Sequence, residues 1–266
     1  RLGLRVVLHE QNAVLGRANR LLAGRADAIA TCFDRVDAIP EADRGKVTVT
    51  GNPVRAAVAA LAHRPYPVPG ESDRLRLLVI GGSLGASVFD ELVPAALCRL
   101  PAELRGRISV TQQVRGAGSE AIAARYAAAG IACDLARFFD DLPQRLGAAH
   151  LVICRAGAST VAELAVAGRP SLLVPYPTAT DDHQSANAER LAAAGAGWVM
   201  PQDALDADKL AERLSELLGN PGLLARAARC AAACGRHEAA RALADLVCDL
   251  RGSNGDDASG SGEEAA

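Results

Sequence analysis

Short apolar runs alternate with longer amphipathic stretches along most of the chain. The apolar runs predict strands at residues 4–8, 28–32, 47–50, 108–112, 131–135 and 197–200. Apolar residues at helical spacing predict helices at residues 15–23, 119–130, 207–218 and from 223 to about 250. Residues 75–97 predict a buried strand, a glycine-rich turn and a helix, and residues 151–177 predict two strands flanking one helix.

This alternation predicts an α/β fold with parallel strands and helices on both faces of the sheet. Ligands of such sheets bind at the carboxyl ends of the strands. Most of the glycine-rich turns of the chain fall at those ends, so we expect the functional site there.

Composition narrows the class of protein further. Half of the 266 residues are hydrophobic and 3% are aromatic, so the core must be built from Ala, Leu and Val. A net charge of −2, without a basic stripe, argues against nucleic-acid binding. The seven cysteines include no CxxC pair, which favours reduced thiols over a zinc site or disulfides. No apolar run reaches the roughly 20 residues that cross a bilayer.

The two ends of the chain carry separate expectations. Met200 is the only methionine, so Arg1 is not a natural start and the chain looks like the carboxyl part of a longer protein. Residues 252–266 are rich in Gly, Ser and acidic residues, a composition typical of a disordered, solvated tail.

The first of three candidate loops reads VIGGSLGAS. Gly81 and Gly82 permit a tight turn, Ser83 offers a hydroxyl, and the following helix presents free N–H groups, a geometry suited to phosphate. The motif is neither a P-loop nor a full dinucleotide fingerprint. Tight packing of strand on helix, without any ligand, explains it equally well.

The second loop reads CRAGASTVAEL, in which small residues surround the start of a helix and Glu163 follows one turn later. The positive end of the helix dipole would attract an anion, and the carboxylate could accept hydrogen bonds from two ribose hydroxyls. Alternatively, Ser159 or Thr160 caps the helix and Glu163 is its capping-box partner.

The third loop reads PTATDDHQSANAERL and is dense in hydrogen-bonding groups, among them Asp181, Asp182, His183, Gln184 and Asn187. Such a set suits a polyhydroxylated ligand. His183 is interpreted as a solvated residue rather than a catalytic one, and the spacing of the aspartates does not favour a metal.

Five motifs, HEQNAVLGRANRLLA, TGNPVR, GGSLGA, CRAGASTVAEL and DDHQSANA, resemble in sequence and order those of the MurG family. The resemblance spans nearly the whole chain except the tail and implies a GT-B architecture of two Rossmann-like domains. It assigns residues 1–50 to the end of the acceptor-side domain, residues 51–251 to the donor domain that binds UDP-N-acetylglucosamine, and residues 252–266 to the tail.

The resemblance also implies an activity. Members of the family transfer N-acetylglucosamine with inversion from UDP-N-acetylglucosamine to lipid I, without a metal or other cofactor, in peptidoglycan synthesis. Because lipid I is a membrane lipid, the full protein is expected at the cytoplasmic face of the bacterial cell membrane as a peripheral protein. Two alternatives stay open: another UDP-sugar enzyme of the same architecture (a glycolipid glycosyltransferase or UDP-N-acetylglucosamine 2-epimerase), or a non-catalytic nucleotide-sugar-binding module.

The resemblance assigns a functional role only to residues at positions that match the motifs of the family. The resemblance places Arg55 and Ser83 at the nucleotide sugar, Phe139 against uracil through its backbone, Glu163 at the ribose, and Gln184 and Asn187 at the sugar. The full set of predicted donor-binding residues is Asn12, Arg55, Ser83, Phe139, Ala158, Ser159, Thr160, Val161, Ala162, Glu163, Gln184 and Asn187. Phe139 departs from the family, which often has isoleucine there. The family's amino-terminal glycine-rich loop has no counterpart, so no catalytic base is assigned and the chain is expected to bind the donor without transferring it.

Overall fold

The computed structural model describes residues 4–82, 87–115 and 118–252. Within these residues the chain forms two parallel sheets, each flanked by helices. The predicted tail, apart from Gly252, lies outside the described residues. The predicted parallel α/β fold is confirmed, whereas the predicted domain boundaries stay a prediction.

The first sheet has three strands in the order β1-β2-β3. They are β1 (Val7–Glu10), β2 (Ala28–Thr31) and β3 (Val47–Val49). Helix α1 (Arg17–Leu22) and 3-10 turns at Ala23–Arg25 and Glu41–Lys46 connect them. The first strand begins three residues later than predicted, because Val7, and not Leu4, pairs with Ala28 of β2.

The second sheet has six parallel strands in the order β6-β5-β4-β7-β8-β9. They are β4 (Leu75–Ile80), β5 (Ile108–Gln113), β6 (Ala132–Ala136), β7 (Leu151–Cys154), β8 (Ser171–Leu173) and β9 (Gly197–Val199). The chain winds outwards from β4 to one edge and then returns to β7 and winds to the other. A crevice therefore opens between the loops that follow β4 and β7, where such sheets bind ligands.

Ten helices follow α1 in the described residues, with 3-10 turns at Ala60–His63, Thr180–Asp182 and Gln202–Ala204. They are α2 (Ala56–Ala59), α3 (Ser87–Leu97), α4 (Ala102–Arg105), α5 (Ser119–Ala128), α6 (Leu142–Ala148), α7 (Ala158–Ala167), α8 (His183–Ala193), α9 (Ala207–Leu218), α10 (Pro221–Cys234) and α11 (Ala239–Gly252).

Both faces of the second sheet are buried, which explains the unbroken apolar runs of its central strands. In β4, Leu77 and Val79 pack into a core with α3, α5 and α9, whereas Leu78 and Ile80 pack into a second core with α7 and α8. The strand is fixed from both sides, so the loop that follows it is held at a defined position beside the crevice.

The prediction of helix from residue 223 to about 250 is wrong at one point, because Gly235 separates α10 from α11. A Cβ atom at Gly235 would lie 2.8 Å from the Ala165 carbonyl oxygen and 2.9 Å from the Val166 Cα. The chain thus crosses α7 at a distance that only glycine allows, and it leaves the helical conformation there.

Candidate functional site

A cleft of about 630 Å³ lies at the carboxyl ends of β4, β5, β7 and β8 and faces the loop after β1. Its volume falls in the range of small-molecule sites in proteins. None of the described residues that line it is acidic. They are Gln11, Asn12, Gly81, Gly82, Arg115, Arg155, Gly157, Ala158, Ser159, Thr160, Tyr176 and Gln184.

The start of α7 forms one wall of this cleft. The residue before the helix is Gly157, in an extended conformation, and no side chain accepts a hydrogen bond from the first turn. The alternative that Ser159 or Thr160 caps the helix with Glu163 is therefore wrong. The N–H groups of the first turn have no partners within the helix, so they and the helix dipole favour an anion at this point.

Arg155 lies at the floor of the cleft and is 8% exposed. Its guanidinium donates to the carbonyl oxygens of Val174 and Pro175 at 3.1 Å and to Oε1 of Gln202 at 2.6 Å. All of these acceptors are neutral, so the positive charge is not balanced by a carboxylate through these bonds.

Two aromatic rings hold Arg155 in place and shield it from water. The centres of the Phe89 and Tyr176 rings each lie 5.3 Å from its guanidinium carbon. Burial lowers the pKa of Arg155 from its usual value, because the charged form loses hydration. Together with Arg115 at the end of β5, this side chain gives the cleft a positive potential.

The predicted donor contacts Arg55 and Glu163 are brought together, and they bind each other. Nε and Nη2 of Arg55 donate to the two carboxylate oxygens of Glu163 at 2.8 and 2.9 Å. The Glu163 side chain is 17% exposed and that of Arg55 is 48% exposed. The carboxylate therefore does not face bulk solvent, and Arg55 must move if ribose hydroxyls are to reach both oxygens.

A buried hydrogen-bond network joins the loop after β1 to α8. Asn187, which is fully buried, accepts from the Ala13 amide at 2.8 Å and donates to Oδ1 of Asn12 and to the Ala156 carbonyl oxygen, each at 3.1 Å. Asn12 lines the cleft, whereas Asn187 lies behind it. The predicted sugar contact of Asn187 would have to act through Asn12.

Glu10 fixes the shape of the loop after β1. It is 3% exposed, and its carboxylate accepts from the amide and side chain of Asn12, from the Gly16 amide and from the Asn19 side chain, at 2.9 to 3.1 Å. Neither Glu10 nor Arg155 is among the predicted donor-binding residues. The sequence offers two signals for them: Glu10 is an acidic residue just after the apolar run at residues 4–8, and Arg155 directly follows the apolar run at residues 151–154.

Gln184 lines the cleft, and its contact with the sugar stays a prediction. Its Oε1 accepts from the backbone amides of Ala156 at 3.2 Å and Tyr176 at 3.0 Å. These bonds tie the loops after β7 and β8 together at the base of the cleft.

Two further predicted residues lie outside the cleft lining, Phe139 was predicted to act through its backbone and stays a prediction, and one residue falls outside the described residues. Val161 and Ala162 are buried on another face of α7, where they line a separate small cavity. The Phe139 side chain is 7% exposed and packs under the Arg145 guanidinium, 4.3 Å from the ring centre. Ser83 lies outside the described residues.

The loop before α8 is strained. Asp181 and Asp182 both have positive φ, at 51° and 52°, a conformation that is uncommon for residues other than glycine. Oδ1 of Asp181 accepts from Nε of Arg17 at 3.0 Å, which ties this loop to α1. Among the described residues, no group of three or more His, Cys, Asp or Glu side chains could hold a metal ion.

The sequence model of the glycosyltransferase family 28 C-terminal domain matches residues 76–246. A Rhodospirillum centenum protein named UDP-N-acetylglucosamine–N-acetylmuramyl-(pentapeptide) pyrophosphoryl-undecaprenol N-acetylglucosamine transferase is 56% identical over 252 residues. A Rhodospirillum rubrum protein of the same name is 54% identical over 248 residues. These alignments cover 94% and 93% of this chain but 66% and 63% of the relatives, so the chain spans less than two thirds of their length.

A solved structure agrees with these relatives. The crystal structure of Acinetobacter baumannii MurG is 32% identical in sequence and aligns with a TM-score of 0.78 over 93% of this chain and 68% of that chain. The GT-B architecture implied by the sequence motifs is thereby confirmed. The chain belongs to glycosyltransferase family 28 and groups with its MurG members.

Proposed function

We propose that this chain supplies the donor-binding part of an inverting glycosyltransferase that moves N-acetylglucosamine from UDP-N-acetylglucosamine to lipid I. The names of the Rhodospirillum relatives support both substrates. The whole activity is a proposal, because the chain spans less than two thirds of those relatives.

One observation carries the proposal: the cleft at the switch between β4 and β7 is built for an anion. It combines the uncapped start of α7 with Arg115 and Arg155, and its described lining contains no carboxylate. A diphosphate bound there would receive main-chain hydrogen bonds and two positive charges. Helix starts bind phosphate groups in many nucleotide-binding proteins for this reason.

The rest of the donor is assigned by distance along the same wall. Glu163 lies one turn beyond Ser159 on α7, so a ribose attached to the diphosphate would reach its carboxylate after Arg55 moves away. Asn12 and Gln184 also line the cleft, and the sequence resemblance assigns the donor to Asn12 and its sugar to Gln184. The phosphate group at the first turn of α7 thus fixes the position of the two other parts of the donor.

In the proposed reaction the C4 hydroxyl of the muramoyl sugar of lipid I attacks the anomeric carbon of the donor. The new C–O bond forms as the bond to the β-phosphate oxygen breaks, and UDP leaves with the bonding electron pair. Negative charge grows on the diphosphate, so groups already aimed at it lower the barrier. The start of α7, Arg115 and Arg155 are those groups; the base that takes the hydroxyl proton is not assigned.

Lipid I is a membrane lipid, so we propose that the full protein works as a peripheral protein at the cytoplasmic face of the cell membrane. In the part of the chain that the structure describes, no helix has both the length and the hydrophobicity to cross a membrane. Leu21 and Leu22 are exposed at 77% and 40%, and Arg20 and Arg25 flank them. Exposed leucines beside arginines suit contact with anionic lipid headgroups.

Calorimetric titration with UDP, UDP-N-acetylglucosamine and NADH tests the donor assignment. We expect saturable binding of both uridine nucleotides and none of NADH. Arg115→Ala should weaken UDP binding by about tenfold, as expected for loss of one charged contact. Arg99→Ala, which removes an arginine paired with Asp208 outside the cleft lining, should leave the affinity unchanged. Preference for NADH without a UDP signal would contradict the proposal.

A further inference from the structure

A second, smaller cavity lies behind α7, on the side away from the cleft. Its volume is about 70 Å³. The walls come from four parts of the chain: the end of the first sheet and the linker after it, α7, α8, and the turn between α10 and α11. The lining residues are Cys32, Phe33, Gly51, Asn52, Val161, Ala162, Ala165, Val166, Arg190, Leu191, Cys234 and Arg236.

The walls of this cavity are largely apolar but carry two buried hydrogen-bond donors without partners. Asn52 is 4% exposed, and its Nδ2 has no partner among the described residues; the same holds for Nε of Arg190. Arg190 is otherwise anchored, since its Nη2 donates to Oδ2 of Asp37 at 2.6 Å. A buried donor without a partner destabilises the folded protein, so each of the two favours an acceptor inside the cavity.

The thiols of Cys32 and Cys234 are poor acceptors for these two donors. Burial raises the pKa of Cys32 to about 11 and raises that of Cys234, so both remain neutral thiols at physiological pH. A neutral thiol is a weak acceptor. The side chains around the two donors, Val161 and Ala165 among them, offer apolar contact only.

We propose that this cavity behind α7 is a binding site for a small neutral molecule with one strong hydrogen-bond acceptor and an aliphatic body. The acceptor takes hydrogen bonds from Asn52 and Arg190, and the aliphatic part contacts α7. A cavity of about 70 Å³ limits the ligand to a few heavy atoms, as in dimethyl sulfoxide.

The test compares dimethyl sulfoxide with dimethyl sulfide, which has the same methyl groups but no oxygen. Methyl-resolved NMR of the full chain reports each titration through Val161, Val166 and Leu191 at the cavity. Methyl groups of Val93 and Leu97, in the core on the other face of the sheet, are the internal control. We expect saturable shifts at the cavity only, with the sulfoxide bound at least about tenfold more tightly, because its oxygen accepts one neutral and one charged hydrogen bond.

Two variants make the test specific. Asn52→Leu keeps the side-chain size but removes one of the two donors, and it should lower the preference for the sulfoxide by about fivefold. Ala165→Leu fills the cavity and should abolish the shifts from both probes; Val166→Ile, with one added methyl group, serves if the larger change prevents folding. Equal binding of the two probes, shifts that rise linearly at cavity and control methyls alike, or binding unchanged by the filling variants would overturn the proposal.

Discussion

The carboxylate of Glu163 provides the sharpest test of how the donor is recognised. In the free protein it is held by Arg55 in a pair that is partly exposed, and such pairs contribute about 0–1 kcal/mol. In the proposed complex it accepts from two ribose hydroxyls. Hydrogen bonds to a charged group contribute about 1.5–3 kcal/mol each, so recognition of the ribose outweighs the lost pair.

Glu163→Gln keeps the shape of the side chain and one acceptor but removes the charge. We expect UDP affinity to fall by about 5- to 30-fold, equivalent to about 1–2 kcal/mol. The 2′-deoxy analogue of UDP lacks one of the two hydroxyls. It should bind about tenfold more weakly than UDP to the unchanged protein but only about twofold more weakly to the variant, because the charged partner of the missing hydroxyl is already gone.

Isothermal titration calorimetry of both nucleotides against both proteins completes the double-mutant cycle. Glu212→Gln on α9 is the matched control, since it removes the same charge from an exposed residue outside the cleft lining. If Glu163→Gln weakens UDP and its deoxy analogue by the same factor, the carboxylate does not contact the 2′-hydroxyl and our assignment of α7 to the ribose is wrong.

Three further predictions concern stability, measured by urea unfolding. Asn187→Ala removes three hydrogen bonds, two of which join α8 to the loop after β1, and should lower the free energy of unfolding by about 2–4 kcal/mol. Gly51→Ala should lower the free energy of unfolding by more than about 2 kcal/mol, because the φ angle of Gly51 is 84° and the new Cβ atom would lie 2.5 Å from the Cβ atom of Arg236. Burial lowers the pKa of His150 to about 4, and its Nδ1 accepts from the Arg76 amide, so stability should fall by up to about 3 kcal/mol as pH drops from 6.5 to 4.

Each of these has a control. Gly24→Ala meets nothing within 4 Å and should leave stability nearly unchanged. His150 binds a proton below about pH 6.5 in the unfolded chain but only below about pH 4 in the folded chain. His150→Gln should therefore remove most of the change in unfolding free energy between these two pH values. A loss below about 1 kcal/mol for Asn187→Ala would show that water replaces its partners.

Much of the fold follows from local pattern. Helical spacing of apolar residues predicts a helix at residues 207–218, with the same limits as α9, and the structure adds a cap in which the Asp206 side chain accepts from the Lys209 amide. The crevice was also predictable, because parallel strands place their following loops at one edge. The break at Gly235 was not, since its cause is the approach of α7, some 70 residues earlier in the sequence.

The sequence predicted the kind of site, an anion site, but not which residues bind each other within it. Small residues at the start of a helix indicated an anion site, and that indication depends only on neighbours in sequence. The Arg55–Glu163 pair joins residues 108 positions apart, and the Asn12–Asn187 bond joins residues 175 apart. No periodicity carries such information. Arg155 was missed because a buried charge without an acidic partner is unusual, and only the surrounding rings and carbonyl groups explain it.

The uncapped first turn of α7 has a consequence for inhibition. Its amides belong to the main chain, and a point mutation exchanges side chains while leaving those N–H groups in place. A compound that engages the amides of residues 158–160 would therefore leave bacteria few routes to resistance. Escape would have to come from proline, from added bulk at Ala158, or from loss of an arginine that binds the donor in the proposed function.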